Sequence, residues 1–354
     1  MGNIKPQRIE YIDALRGFTI ILVVMTHIAS ANGIETLENG NFHALFLQFR
    51  MPLFFFISGF LFYKNGVIWD LRNIYNFLRK KFSVQIVSPL IFLLCYIYYN
   101  GFSFKGTMID EFKAGYWFTF TLFSFFVLHI LLKKVMFLLK IKECYHLSLY
   151  FATGLFLYCF CSYAILINRI GAELDISNSI RSLGVTQWKF FIFFIIGVSV
   201  KKNFASFLNI LEHSLLLPVA ILTYFAVNLF VNLQDINVMM RECLELLLAV
   251  SGIVVLFATF RKQDSFFKGE SMIAKSLKFI GKRTLDIYLL HFFFLYPNLT
   301  IIYSHFAENS YPLYEFVVSL IISAIVIVAC LLVSAVLRSS NRIAHFLFGE
   351  KRNI

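Results

Sequence analysis

Charge is scarce in this sequence. Asp, Glu, Lys and Arg make up 15% of the 354 residues, against roughly a quarter in ordinary soluble domains. That shortage excludes a water-solvated globule of this length. Proline is rare as well, with 6 residues, and no repeat, heptad run or low-complexity linker breaks the chain, so a single domain over 1–354 is expected. Cysteine numbers 6 and has no paired spacing, which excludes a disulfide framework of the secreted kind. Cys95, Cys144, Cys159, Cys161, Cys243 and Cys330 lie mostly within apolar runs and read as buried apolar fillers. Cys159 and Cys161, two apart on a helix, point to different faces and make no metal site.

What abounds is apolar and aromatic surface: 59% hydrophobic residues and 44 phenylalanines, with a mean hydropathy of +0.75. Apolar runs recur at roughly the 17 to 25 residues that cross a bilayer as helix, which predicts an all-α polytopic membrane protein of about ten transmembrane helices. The runs place them near 15–32, 42–64, 83–100, 116–139, 146–168, 186–200, 214–233, 242–260, 284–305 and 312–337. The start of the chain, with Lys5, Arg8 and Arg16 ahead of an apolar stretch, imitates a cleavable leader. Glu10 and Asp13 within it argue that it is retained as the first span.

An even number of spans puts both termini on one side. With that side taken as the inner one, all but Arg50, Lys105, Lys113, Arg169, Arg181, Lys189 and Arg241 of the 32 Lys and Arg lie there. A partition so lopsided obeys the positive-inside rule and makes both termini cytoplasmic. It also accounts for the net charge of +12 without a nucleic-acid partner. The inner segment 261–283 interleaves Ile273, Leu277 and Ile280 with Lys275, Lys278, Lys282 and Arg283, a pattern suited to an anionic lipid leaflet.

Ionisable residues inside lipid are costly unless they face a protein interior or a wet cavity, so each is a functional candidate. In Ile12-Asp13-Ala14-Leu15-Arg16-Gly17, Asp13 is placed to cap the first helix and pair with Arg16, whose guanidinium can still hold a phosphate at the inner interface. His27 follows eleven residues later, about 16 Å deeper and within about 20° of the same face. One helix thus offers an anion-binding cation at its inner end and an imidazole deep in the bilayer. Further candidates are Arg50, which either meets a ligand or snorkels to the outer headgroups, Ser58, and His291. Asp286 reads as a helix-start charge beside Thr284, and His129 as structural.

The first helix with Arg16 and His27 resembles that of the acyltransferase family 3 membrane proteins, in which an arginine or lysine and a histidine with ten residues between them mark the first span. Arg50-Met51-Pro52-Leu53-Phe54-Phe55-Phe56-Ile57-Ser58-Gly59-Phe60 resembles the family's second-helix motif. Tyr116-Trp117-Phe118 with Leu122-Phe123, Phe193-Phe194 with Gly197 before Lys201-Lys202, and Gly281 to Leu285 leading to Tyr288-Leu289-Leu290-His291 are similar in turn. One stretch departs: before Pro89 the family often carries two arginines three residues apart, and here stand Arg79, Lys80 and Lys81, then Phe82-Ser83-Val84-Gln85. The resemblance implies transfer of an acyl group, usually acetyl, from coenzyme A on the cytoplasmic side to a sugar hydroxyl of a cell-envelope glycan or lipid-linked sugar. It implies no bound cofactor, acetyl-CoA as co-substrate, and a bacterial inner membrane. His27 is then the general base, with Arg16 and Asp13 serving the donor. A transporter or flippase of an anionic or glycan-type substrate is the competing reading, since several spans with a few buried cations suit that also.

Overall fold

The computed structural model describes residues 9–31, 42–67, 69–169, 184–233, 237–295 and 312–349. Among them there is no strand. In chain order the helices are α1 (Glu10–Ala31), α2 (Phe42–Phe62), α3 (Leu71–Phe82), α4 (Ser88–Asn100), α5 (Trp117–Leu138), α6 (Glu143–Arg169), α7 (Phe191–Lys202), α8 (Phe204–Leu211), α9 (Leu216–Leu233), α10 (Val238–Lys262), α11 (Met272–Lys282), α12 (Thr284–Leu290), α13 (Pro312–Arg338) and α14 (Asn341–Phe348).

Among the described residues, seven helices are long and apolar enough to cross a membrane. The pair 185–202 and α8, bent by 99° at the break, is apolar and long enough only when taken together, as a broken span or a re-entrant loop, and two shorter apolar helices cover 216–231 and 284–294. Every predicted segment coincides with one of these, although the end of the ninth, 296–305, lies outside the described residues. The chain is an all-α polytopic membrane protein. Its outer faces require lipid: only 28% of the most apolar stretch of α13 is buried, leaving Ile321, Ile325, Leu332 and Val336 exposed. For the same reason the expected burial of the cysteines is corrected. Cys95, Cys144, Cys159 and Cys243 are exposed and only Cys161 and Cys330 buried, because a side chain in hydrocarbon gains little from moving into a protein interior.

Helix α1 is the axis of the assembly. Of its most apolar stretch 78% is buried, against 50% or less in the other long spans, and it packs against α2, α10, α11, α12 and α13. Two of its surroundings differ from expectation. The third span begins at Leu71 rather than near 83, because Asp70 accepts from the N–H of Asn73 at 2.7 Å and caps a basic, amphipathic first half that hydropathy alone does not register. Segment 272–282 is the amphipathic helix its pattern predicts, yet its small-residue face is buried against α1. A Cβ on Gly17 would overlap the Leu277 carbonyl and one on Gly281 the Asp13 carbonyl.

Helices α2 and α7 meet in the same way. A Cβ on Gly59 would overlap the carbonyl oxygen of Phe194, and one on Gly197 that of Phe56, so each backbone lies on the other's glycine. Gly59→Ala and Gly197→Ala each destabilise the detergent-solubilised protein by about 1–3 kcal/mol. The double variant loses less than the sum, because either methyl alone already separates the pair. Thermal unfolding of the three variants measures this; strict additivity would mean that the two glycines act independently.

Candidate active site

Helix α1 carries both ends of the site. It begins at Glu10, so Asp13 lies inside its first turn and does not cap it; the Ile9 carbonyl instead accepts from the N–H groups of Ile12 and Asp13 at 3.2 and 3.3 Å. The expected pairing does form, with Arg16 Nη1 at 3.7 Å from the Asp13 carboxylate. Asp13 is buried while Arg16 keeps 27% of its side chain open.

From Arg16 a cavity of about 440 Å³ runs to His27. Arg16, His27, Arg50 and Ser58 all line it, which joins four of the residues that the motifs single out. Its cations are completed by Lys64 and Lys81, and among the described residues no Asp or Glu lines it. Between the charged groups the wall is largely apolar, from Ile20, Val23, Phe54, Ile57, Phe118 and Leu122. A cationic mouth opening on an apolar passage fits an amphipathic anion better than a fully charged one.

Arg50 does not reach away to headgroups. Its Nε and Nη1 are buried and have no hydrogen-bond partner, so the guanidinium is held within the protein at the cavity wall. His291 does not line the cavity but stands behind His27, the two ring centroids 5.4 Å apart. It follows the last residue of α12, where the helix tightens into a 3₁₀ turn. There its Nδ1 lies 3.0 Å from the Ile287 carbonyl and 2.9 Å from that of Tyr288. Carbonyl oxygens only accept, so Nδ1 carries the proton and Nε2 is left as a buried lone pair without a partner. Phe292 packs against both imidazoles, 5.3 Å from His27 and 3.9 Å from His291 between centroids. The loop before α5 is locked onto the same region: Tyr288 Oη donates to the Gly115 carbonyl at 3.0 Å, and Tyr116 Oη to that of Leu289 at 2.8 Å.

Two of the ionisable residues singled out in the sequence lie elsewhere. His129 stacks on Tyr150 with centroids 4.5 Å apart and meets Phe62 edge-on, a packing role in agreement with its reading as structural. Asp286 does stand in the first turn of α12, but it makes no capping hydrogen bond there. It is 1% exposed and accepts from Arg338 Nε at 2.8 Å, Arg338 Nη2 at 2.7 Å and Ser334 Oγ at 2.5 Å, which ties α12 to the end of α13.

Lys64, Lys81 and Gln85 enter the wall unanticipated. Lys81 Nζ lies 4.8 Å over the ring of Phe126, an arrangement that brings its charge into the bundle along an aromatic face. The apolar runs leave it in the connection between the spans near 42–64 and 83–100, whereas the amphipathic period of 71–82 carries the signal. Gln85 is neutral, and a search for ionisable residues in lipid passes over it.

Residues 9–338 match a family model described as an acyltransferase domain. No curated protein and no solved structure matches the chain.

Proposed function

This chain belongs to the acyltransferase 3 family, and from that membership and the cavity we propose that it moves an acetyl group from acetyl-CoA to a hydroxyl of a cell-envelope glycan or lipid-linked sugar. The observation that carries the proposal is one cavity with Arg16, Lys64 and Lys81 at one end and His27 about three helical turns along α1. Anionic phosphates of the donor bind at the cations on the cytoplasmic side, where the charge partition puts both termini, and the acyl thioester reaches His27 through the apolar passage.

A sugar hydroxyl is a poor nucleophile because its pKa is far above neutrality. As its oxygen attacks the thioester carbonyl carbon, His27 takes the proton. The carbonyl oxygen becomes an oxyanion, and Arg50, whose buried donors have no other partner, supplies opposite charge. Collapse breaks the carbon–sulfur bond, and the departing thiolate recovers the proton from His27. His291 orients the His27 ring from behind.

The direct test follows free thiol released from acetyl-CoA by purified protein when acceptor is added. Substrate flux without thiol release would identify a transporter instead. Arg16→Ala raises the apparent KM for acetyl-CoA about 10- to 100-fold, the size of a lost charge-assisted contact. With acetyl-pantetheine, which has no phosphate, the same variant behaves as the parent does. An unchanged KM for acetyl-CoA would remove Arg16 from the donor site.

A further inference from the structure

Between α3 and α4 the chain makes one wide turn. Residues Ser83–Val87 are wound as a π-helix, with the Ser88 N–H bonded to the Ser83 carbonyl five residues back. The Ser88 hydroxyl donates to that same carbonyl at 3.1 Å and approaches the Phe346 carbonyl of α14 at 3.4 Å. Such single wide turns insert one residue into a helix and recur at functional positions. Here the turn lies on the cavity, and Lys81, Val84 and Gln85 all line the wall.

Gln85 is 7% exposed, and its Oε1 is buried with no hydrogen-bond partner. An orphaned buried acceptor is unfavourable, and this one sits in a wall that is otherwise largely apolar. Three hydroxyls of the same wall already have partners: Thr119 Oγ1 donates to the Tyr116 carbonyl at 3.3 Å, Thr284 Oγ1 to that of Gly281 at 2.7 Å and Tyr288 Oη to that of Gly115. Gln85 is therefore an acceptor left over for a ligand. It follows Lys81 by four residues, about 6 Å of rise, on a segment that leads away from the cation cluster.

The geometry points to Gln85 as the reader of an amide in the donor: its Oε1 accepts the N–H of the secondary amide nearest the phosphates in a pantetheine-type arm. This rests on the acyl-CoA reading above. With phosphates at Arg16, Lys64 and Lys81 and the thioester at His27, the stretch passing Gln85 is an arm whose polar groups are secondary amides. Apolar walls alone would leave their N–H groups unpaired. A carbonyl-type acceptor one turn inside the mouth satisfies one, and it favours thioesters that carry an amide at that depth over those that do not. Lys81 holds charge and Gln85 holds a dipole, two successive readings of one extended ligand.

The test compares acetyl-CoA with an analogue in which an ester oxygen replaces that amide N–H, so that one donor is lost and the shape kept. The parent protein is expected to prefer acetyl-CoA about tenfold in kcat/KM. Gln85→Leu, or Gln85→Met if the leucine variant does not fold, loses about tenfold with acetyl-CoA, loses nothing with the ester analogue, and so shows no preference. Gln85→Glu, which retains an acceptor oxygen, keeps the preference. A parent preference that survives unchanged in both apolar variants would overturn the assignment to Gln85 while leaving the acyl-CoA reading standing. Absence of thiol release by the parent protein from either donor, with acceptor present, would overturn that reading itself.

Discussion

His27→Ala lowers the rate of acyl transfer by about 100- to 10,000-fold, the range that a positioned general base contributes. The variant still extracts from membranes as a monodisperse, folded protein, because the ring faces a cavity rather than filling a core. Among the described residues its ring packs against His291 and Phe292 and otherwise lines the cavity, so truncation enlarges that hollow. The defect lies in kcat, with the apparent KM for acetyl-CoA little changed, since the proposed site for the donor's anionic groups is Arg16 at the other end of α1. Glycan acetylation by cells that carry the variant, read by mass as the lost acetyl increment, provides the second measurement. Retained activity would eliminate His27 as the base.

Asp286→Ala has the largest expected effect on stability, about 3–5 kcal/mol, as for other buried ion pairs broken from one side. The aspartate is 1% exposed and receives two parallel hydrogen bonds from a single guanidinium, and Arg338 is left with 12% of its side chain open. Removing the carboxylate strands that charge between α12 and α13. Thermal unfolding in detergent reports the loss. The double variant Asp286→Ala with Arg338→Leu recovers much of it, since no uncompensated charge is then buried. A double variant as unstable as the single one would mean that the pair contributes through geometry rather than charge. Activity falls with Asp286→Ala as well, because α12 is the helix that presents His291 to His27.

Glycines show how directly some tertiary facts are written in the chain. Gly59, Gly197 and Gly281 all stand in the stretches that carry the family resemblance, and each lies at a crossing where a Cβ would meet a neighbouring backbone. Close approach of two helices has only one residue type that permits it fully, so the requirement is visible in sequence. Asp286 shows the opposite. Its partner Arg338 is 52 residues away on another helix, and nothing local marks the pair, so the sequence places Asp286 at the helix start correctly but offers a capping role that it does not have.

The sequence by itself determined the lipid environment, the helical spans and the two stations on α1, because each follows from a period or a length: apolar runs match the bilayer, and eleven steps of 100° return to one face. It also singled out Arg50 and Ser58, which the fold then places on the same cavity as Arg16 and His27. What only the tertiary structure decided is which neighbours meet. The turn of Arg50 into the protein, the stance of His291 behind His27, the ion pair that anchors α12, and the wide turn that sets Gln85 in the wall all depend on how helices distant in sequence pack. Helical periodicity specifies a face; the helix opposite that face is chosen by shape and by the pairing of buried polar groups across the whole bundle.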